Sequence, residues 1–213
     1  MPAAIWSGRN ATAEQAAADL TATLRAELGL AVPPLAMPLP AGSTGVPAGS
    51  LLPPRERFSG MPMPTHCFLY VDAQAPRRFE LRAEILSGRA GFRRSLGLGR
   101  LLYAVPLAPA IPSAVELTAP DAATPARFDG DPATAHRLNQ DPDVLDTGRA
   151  LTPTSAGRDR THSWRVDRRL TIEPLPEGSV LILQTLHRST PRAWSLSAAG
   201  VLDFARRVEA CLG

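Results

Sequence analysis

The hydrophobic positions along the chain change period several times. Ala17, Leu20, Leu24 and Leu28 recur at helical intervals, with Asp19 opposite and Glu14, Arg25 and Glu27 on the flanks. That spacing predicts an amphipathic surface helix. Thr12 and Gln15 have capping-box spacing, and Gly29 suits a C-terminal cap. From Ala31 to Pro64 the character changes: Pro33, Pro34, Pro38, Pro40, Pro47, Pro53, Pro54, Pro62 and Pro64 are interleaved with Gly and Ser. Neither a helix nor a sheet ladder accommodates that density, so the stretch reads as an extended linker or an arm wrapped over the core.

The period then shortens to two. Residues 66–71, HCFLYV, are apolar on both sides of the pleat and predict a buried strand. In residues 78–85, Phe79, Leu81, Ala83 and Ile85 alternate with Arg78, Glu80, Arg82 and Glu84. This predicts a strand with one buried face and one wet face, paired with 66–71 as an antiparallel hairpin through 73–76. A Gly/Arg segment, 88–100, and a Pro-punctuated run lead to a short strand at 114–118. Asp131-Pro132 and Asp141-Pro142 each place an N-cap before proline, which predicts helices over 132–139 and 142–147, the second limited by Gly148. Residues 152–161 read as a polar loop.

A second hairpin follows. Trp164, Val166, Leu170 and Ile172 share one face of a strand, Arg165, Asp167, Arg169 and Thr171 the other, and Arg168 falls on the apolar side. Residues 174–178 form the turn, and 179–186 return as a strand buried on both faces. Val201, Leu202, Phe204, Ala205, Val208 and Leu212 mark a last helix, with Ser197 as its cap.

This order predicts an α+β fold. Its antiparallel sheet is built from two β-hairpins plus a short strand, with N- and C-terminal helices packed on one face. The organisation reads as an N-terminal helix in 1–30, a Pro-rich linker or arm in 31–64 and an α+β core in 65–213, one domain in all. At 213 residues, 44% hydrophobic and 20% charged, the chain is long and apolar enough for a sizeable core.

Composition narrows the chemistry. All 23 basic residues are arginine, which excludes Schiff-base, P-loop and kinase-type lysines. A GC-rich genome accounts for that bias together with the many Ala, Gly and Pro residues. Arginine favours planar, bidentate capture of phosphate or carboxylate. The net charge of +3 is modest beside a nucleic-acid binder's usual excess, although without lysine it lifts the pI to about 9.5. Cys67 and Cys211 suit a reducing compartment, residues 1–9 carry no signal-peptide pattern, and no apolar stretch reaches spanning length, so a cytoplasmic location is expected.

Two clusters carry candidate chemistry. Arg89, Arg93, Arg94 and Arg100 lie among Gly88, Gly91, Gly97 and Gly99, where open backbone amides and guanidinium forks suit an anion. The glycine spacing is not that of a dinucleotide fingerprint. Arg168, with Arg165 and Arg169 beside it, must be paired or line a cavity if it faces inward. The acids Asp129, Asp131, Asp141, Asp143 and Asp146 lack calcium-loop order. His66, His136, His162 and His187 lack zinc spacing, and no serine sits in a nucleophile elbow. Neither a metal nor a cofactor is expected. Trp6, Trp164 and Trp194 are scattered, and Phe68 with Tyr70 is the nearest thing to a base-stacking pair.

The expected function is a non-catalytic binding or interaction module with an arginine-rich surface. Its partner would be a protein, an acidic ligand such as a nucleotide, or nucleic acid. The alternative is a small hydrolase or transferase whose site is assembled from residues distant in sequence.

Overall fold

The structure is a computed structural model that describes residues 13–29, 35–39, 46, 48–54, 66–72, 77–86, 89–90, 93–94, 98–118, 124–152, 169–187 and 196–213. It divides into two compact units, Met1–Tyr103 with Leu186–Ala198, and Ala104–Thr185 with Ala199–Gly213. Helices and an antiparallel sheet give the α+β class that the pattern predicts. Among the described residues no helix is long and apolar enough to cross a membrane.

The first unit opens with helix α1, Ala13–Leu28, whose Leu20 and Leu24 are fully buried. Gly29 ends it with φ of 63°, the left-handed conformation of a C-terminal cap. The Pro-rich stretch is more than a linker, because residues Leu35–Leu39 form strand β1. It pairs antiparallel with β2, His66–Asp72, in the register Leu35↔Val71 to Leu39↔Cys67. Proline is compatible here because β1 is the last strand of the sheet, where a missing amide leaves no second neighbour unpaired. The first predicted hairpin is present: β2 pairs with β3, Phe79–Leu86, from His66↔Ile85 to Asp72↔Phe79.

Strand β6, Leu98–Leu107, follows β3 in the sheet and replaces what reads as a Gly/Arg segment and a Pro-punctuated run. Leu101, Leu102, Tyr103, Ala104, Val105 and Leu107 are all buried, so the strand has no polar face and no period of two to betray it. Between β3 and β6, strands β4, Arg89–Ala90, and β5, Arg93–Arg94, make a separate two-stranded ribbon.

Beyond β6 the sheet order continues with β10 (Ser179–His187), β9 (Arg169–Pro174), β7 (Val115–Thr118) and β8 (Arg127–Gly130). Strands β9, Arg169–Pro174, and β10, Ser179–His187, form the second predicted hairpin, from Ser179↔Pro174 to Gln184↔Arg169. Gly178 closes its turn with φ of 85°, and a Cβ there would lie 2.3 Å from the Leu107 carbonyl oxygen. Strand β7, Val115–Thr118, is the predicted short strand, paired with β9 on one side and with β8, Arg127–Gly130, on the other.

Helices α2, Pro132–Asn139, and α3, Pro142–Leu151, start on the predicted caps. Asp131 accepts from the Thr134 amide, and Asp141 from those of Asp143 and Val144. The Thr134 bonds hold the Asp131 carboxyl below its ordinary value. Gly148 does not end α3. It lies buried inside the helix, where a Cβ would come 2.9 Å from Leu117 Cδ2 and 3.3 Å from Phe204 Cζ, so a glycine admits their close approach. Helix α4, Ala198–Leu212, buries Val201, Leu202, Phe204, Ala205, Val208 and Leu212 as the spacing predicts.

Strand β8 ends the sheet, and such an edge invites pairing with another chain. Asn139, the last residue of α2, covers it. Its Oδ1 accepts from the Phe128 amide at 2.7 Å and its Nδ2 donates to the Phe128 carbonyl at 2.9 Å. One side chain thus stands in for a neighbouring strand. Replacing it by alanine leaves a partly buried donor and acceptor unmet, which costs about 1–3 kcal/mol. Asn139→Ala is therefore expected to lower the urea midpoint by that margin and to favour concentration-dependent association by light scattering. Asn139→Asp, which keeps only the acceptor, should fall between it and the parent.

Candidate functional site

The polar face of β3 is the largest departure from the pattern. A wet face is expected for Arg78, Glu80, Arg82 and Glu84, yet Glu80 is 2% exposed, Arg82 1% and Glu84 0%. Only Arg78, at 53%, reaches solvent. Alternation reports polarity, and polarity can be buried where charges of opposite sign neutralise one another. Here they do, because arginine and glutamate alternate along the face and a fourth buried charge, Arg100 of β6 at 3%, joins them.

Glu84 sits at the centre of this network. Its Oε1 lies 2.8 Å from Arg82 Nε, and its Oε2 accepts from Arg100 Nε at 2.7 Å and from Arg100 Nη2 as well. Two carboxylates and two guanidiniums leave the buried cluster neutral, the condition under which buried charge is tolerated. Outward from this centre, the network reaches the Pro-rich arm. Arg82 Nη1 donates to the Pro53 carbonyl at 2.7 Å. Glu80 Oε2 accepts from the Ser50 hydroxyl at 2.6 Å and the Leu51 amide at 3.0 Å. Arg78 Nη2 donates to the Gly49 carbonyl at 3.3 Å and to Glu80 Oε1 at 3.2 Å. Leu52 is buried beside these contacts. Residues 49–53 thus lie along this face, in contact with Arg78, Glu80 and Arg82.

The predicted anion cluster divides. Arg89 and Arg94 are register partners across the β4–β5 ribbon, and Arg93 stands opposite Ala90. Arg100 belongs with Glu84 instead, its cation buried in the ion pair. Arg168 and its neighbour Arg165 lie outside the described residues, as do His162 and the three tryptophans. Arg169 is described: it makes a bidentate surface pair with Glu116, at 3.1 and 3.0 Å. Tyr70 is fully buried, so it presents no face to a base, and burial pushes its phenol pKa far up despite an opposing bond from Thr21.

Other ionisable groups serve as ties. Glu27 of α1 accepts from the Leu196 amide at 2.7 Å and the Ala198 amide at 3.1 Å, so the start of α4 is capped from α1, while Ser197 between them adopts a left-handed φ of 52°. Tyr103, its phenol pushed far up by burial and then by Glu27, donates to the Leu196 carbonyl. Asp129 is held low by bonds from Arg127 and Thr118. The Cys211 thiol is pushed up by burial, and its Sγ donates to the Arg137 carbonyl. Among the described residues no three of His, Cys, Asp and Glu come together as metal ligands.

Glu84 was not singled out by sequence reasoning, although unlike charges at i, i+2 and i+4 facing an arginine in an apolar run are a readable signal. Glu84→Gln would leave two buried guanidiniums short of one negative charge and is expected to destabilise by about 3–5 kcal/mol in urea unfolding. The triple change Arg82→Met, Glu84→Leu, Arg100→Met removes the three charges centred on Glu84, leaves Glu80 with its own partners Arg78, Ser50 and the Leu51 amide, and should recover most of that loss. Compared with protein-family models, with curated proteins and with solved structures, the chain finds no match.

Proposed function

We propose that the protein is a non-catalytic binding module whose contact element is the Gly/Arg segment, with Arg89, Arg93 and Arg94 engaging an anionic group on its partner. The observation that supports this reading is the ribbon register, which holds Arg89 and Arg94 directly opposite each other. Like charges in that position repel and weaken a two-stranded pairing. A phosphate or carboxylate bridging the two arginines turns that repulsion into attraction, and the guanidinium fork suits both groups. The deployment of the other charges agrees with it: Glu27, Glu80, Glu84, Asp131 and Asp141 are engaged in structural bonds.

A thermal-shift titration tests the reading with three probes: inorganic pyrophosphate, a single-stranded oligonucleotide and a glutamate-rich peptide. At about 100 times its dissociation constant, a probe that binds the folded chain stabilises it by about 2.7 kcal/mol. Arg89→Ala with Arg94→Ala is expected to abolish the shift, and added salt to reduce it, most steeply for the oligonucleotide. Stabilisation by none of the three, or an undiminished shift in the double variant, overturns the assignment.

A further inference from the structure

The contacts between the arm and β3 follow a regular spacing. Arg78 meets the Gly49 carbonyl, Glu80 the Leu51 amide and Arg82 the Pro53 carbonyl. Positions 78, 80 and 82, which share one face of the strand, thus meet 49, 51 and 53 in the same direction and at a constant offset of 29 residues. All three side chains read main-chain groups, in the order acceptor, donor, acceptor. A side-chain hydrogen bond joins them, from the Ser50 hydroxyl to Glu80. Leu52 supplies the apolar anchor, 2% exposed.

This is how a peptide-binding surface recognises a ligand: its polar side chains take main-chain groups and one apolar side chain is enclosed. Permanent coverage would not require these charges, since apolar residues of similar size are often as stable or more stable in a buried site. A face of arginines and glutamates suits a surface that meets water when its cover is away. Pro53 and Pro54 have no amides, so this part of the arm cannot be drawn into a sheet ladder on both of its sides.

We propose that the Arg78–Glu80–Arg82 face of β3 is a peptide-binding rail held shut by the chain's own residues 49–53. Its ligand is a peptide segment presenting C=O, N–H and C=O at alternate residues. A serine or threonine precedes the N–H, and an aliphatic side chain precedes the last carbonyl. The tethered arm competes at high effective concentration, so a free peptide binds with an affinity lowered by the fraction of molecules that stand open.

The probe is a fluorescein-labelled peptide with the sequence of residues 47–55, PAGSLLPPR, followed by anisotropy. Ser50→Ala with Leu52→Ala weakens the arm and is expected to raise the apparent affinity of the full chain for the peptide at least about tenfold. The same peptide N-methylated at the position of Leu51 loses the central donor and should bind at least about tenfold more weakly. A folded double variant that binds no better than the parent chain, or that does not distinguish the two peptides, overturns the proposal. Amide exchange on the unaltered chain decides the matter even if the variant fails to fold. The Leu51 amide should exchange through a local opening, faster than the amides of β3 that pair with β2. Exchange of Leu51 only with global unfolding means that the arm does not lift, and the rail is then no binding site.

Discussion

The carboxylate of Glu84 lies between the guanidiniums of Arg82 and Arg100, and the network over the polar face of β3 is built outward from that contact. A buried carboxylate alone would be untenable, as would either buried arginine. Held together, they let β3 be covered on both faces. Glu84 precedes the β4–β5 ribbon and Arg100 follows it, so the pair also closes the excursion between two neighbouring strands at its base. Arg82 then carries the network to the Pro53 carbonyl, which makes the position of the arm depend on the neutrality of the strand beneath it.

The same economy of charge recurs elsewhere. Hydrogen bonds to charged groups contribute more than those between neutral ones, and in this chain they fall where backbone has no ladder partner. Glu27 takes the amides that open α4, Glu209 takes the Ala108 amide just beyond β6, and Asp131 and Asp141 take those at the starts of α2 and α3. With no lysine available, the matching cations are planar forks, and Arg169 on Glu116 and Arg100 on Glu84 both use two nitrogens at once. An ammonium, a point charge on a flexible stem, would not fix two bonds in one plane.

Most of the elements that a period can announce were legible in the sequence. The two hairpins, the 114–118 strand, the Asp-Pro helix starts and the buried stripe of α4 all follow from local patterning. What escaped has physical reasons. Strand β6 is buried on both faces and flanked by Gly and Pro, so its residues carry no alternation. Strand β1 contains Pro38, which only an edge position accommodates. Strand β8 is four residues long, completed by an amide eleven residues away in Asn139. The wet face of β3 was misread because the strand cannot announce what covers it. The arm lies about 29 residues earlier, and three of its contacts are made by main-chain groups that leave no trace in the identity of Gly49, Leu51 or Pro53. Of the candidate site, the ribbon arginines were visible as composition, whereas the register that pairs Arg89 with Arg94 is a property of the folded backbone.

Gly178 bears on how this molecule can be handled. With Pro176 and Glu177 exposed beside it, the β9–β10 turn looks like the natural place to insert a tag, a fluorophore-bearing loop or a cut for circular permutation. Tolerance of that kind depends on the backbone being unencumbered, not on side-chain exposure. Here the backbone is pressed to within 2.3 Å, measured from where a Cβ would stand, of the Leu107 carbonyl oxygen, and the Leu175 amide is bonded back to the Gly178 carbonyl. An insertion at this tip would pry the second hairpin away from the end of β6. An exposed corner of the unit is thus a poor site for insertion, and a label is better carried elsewhere.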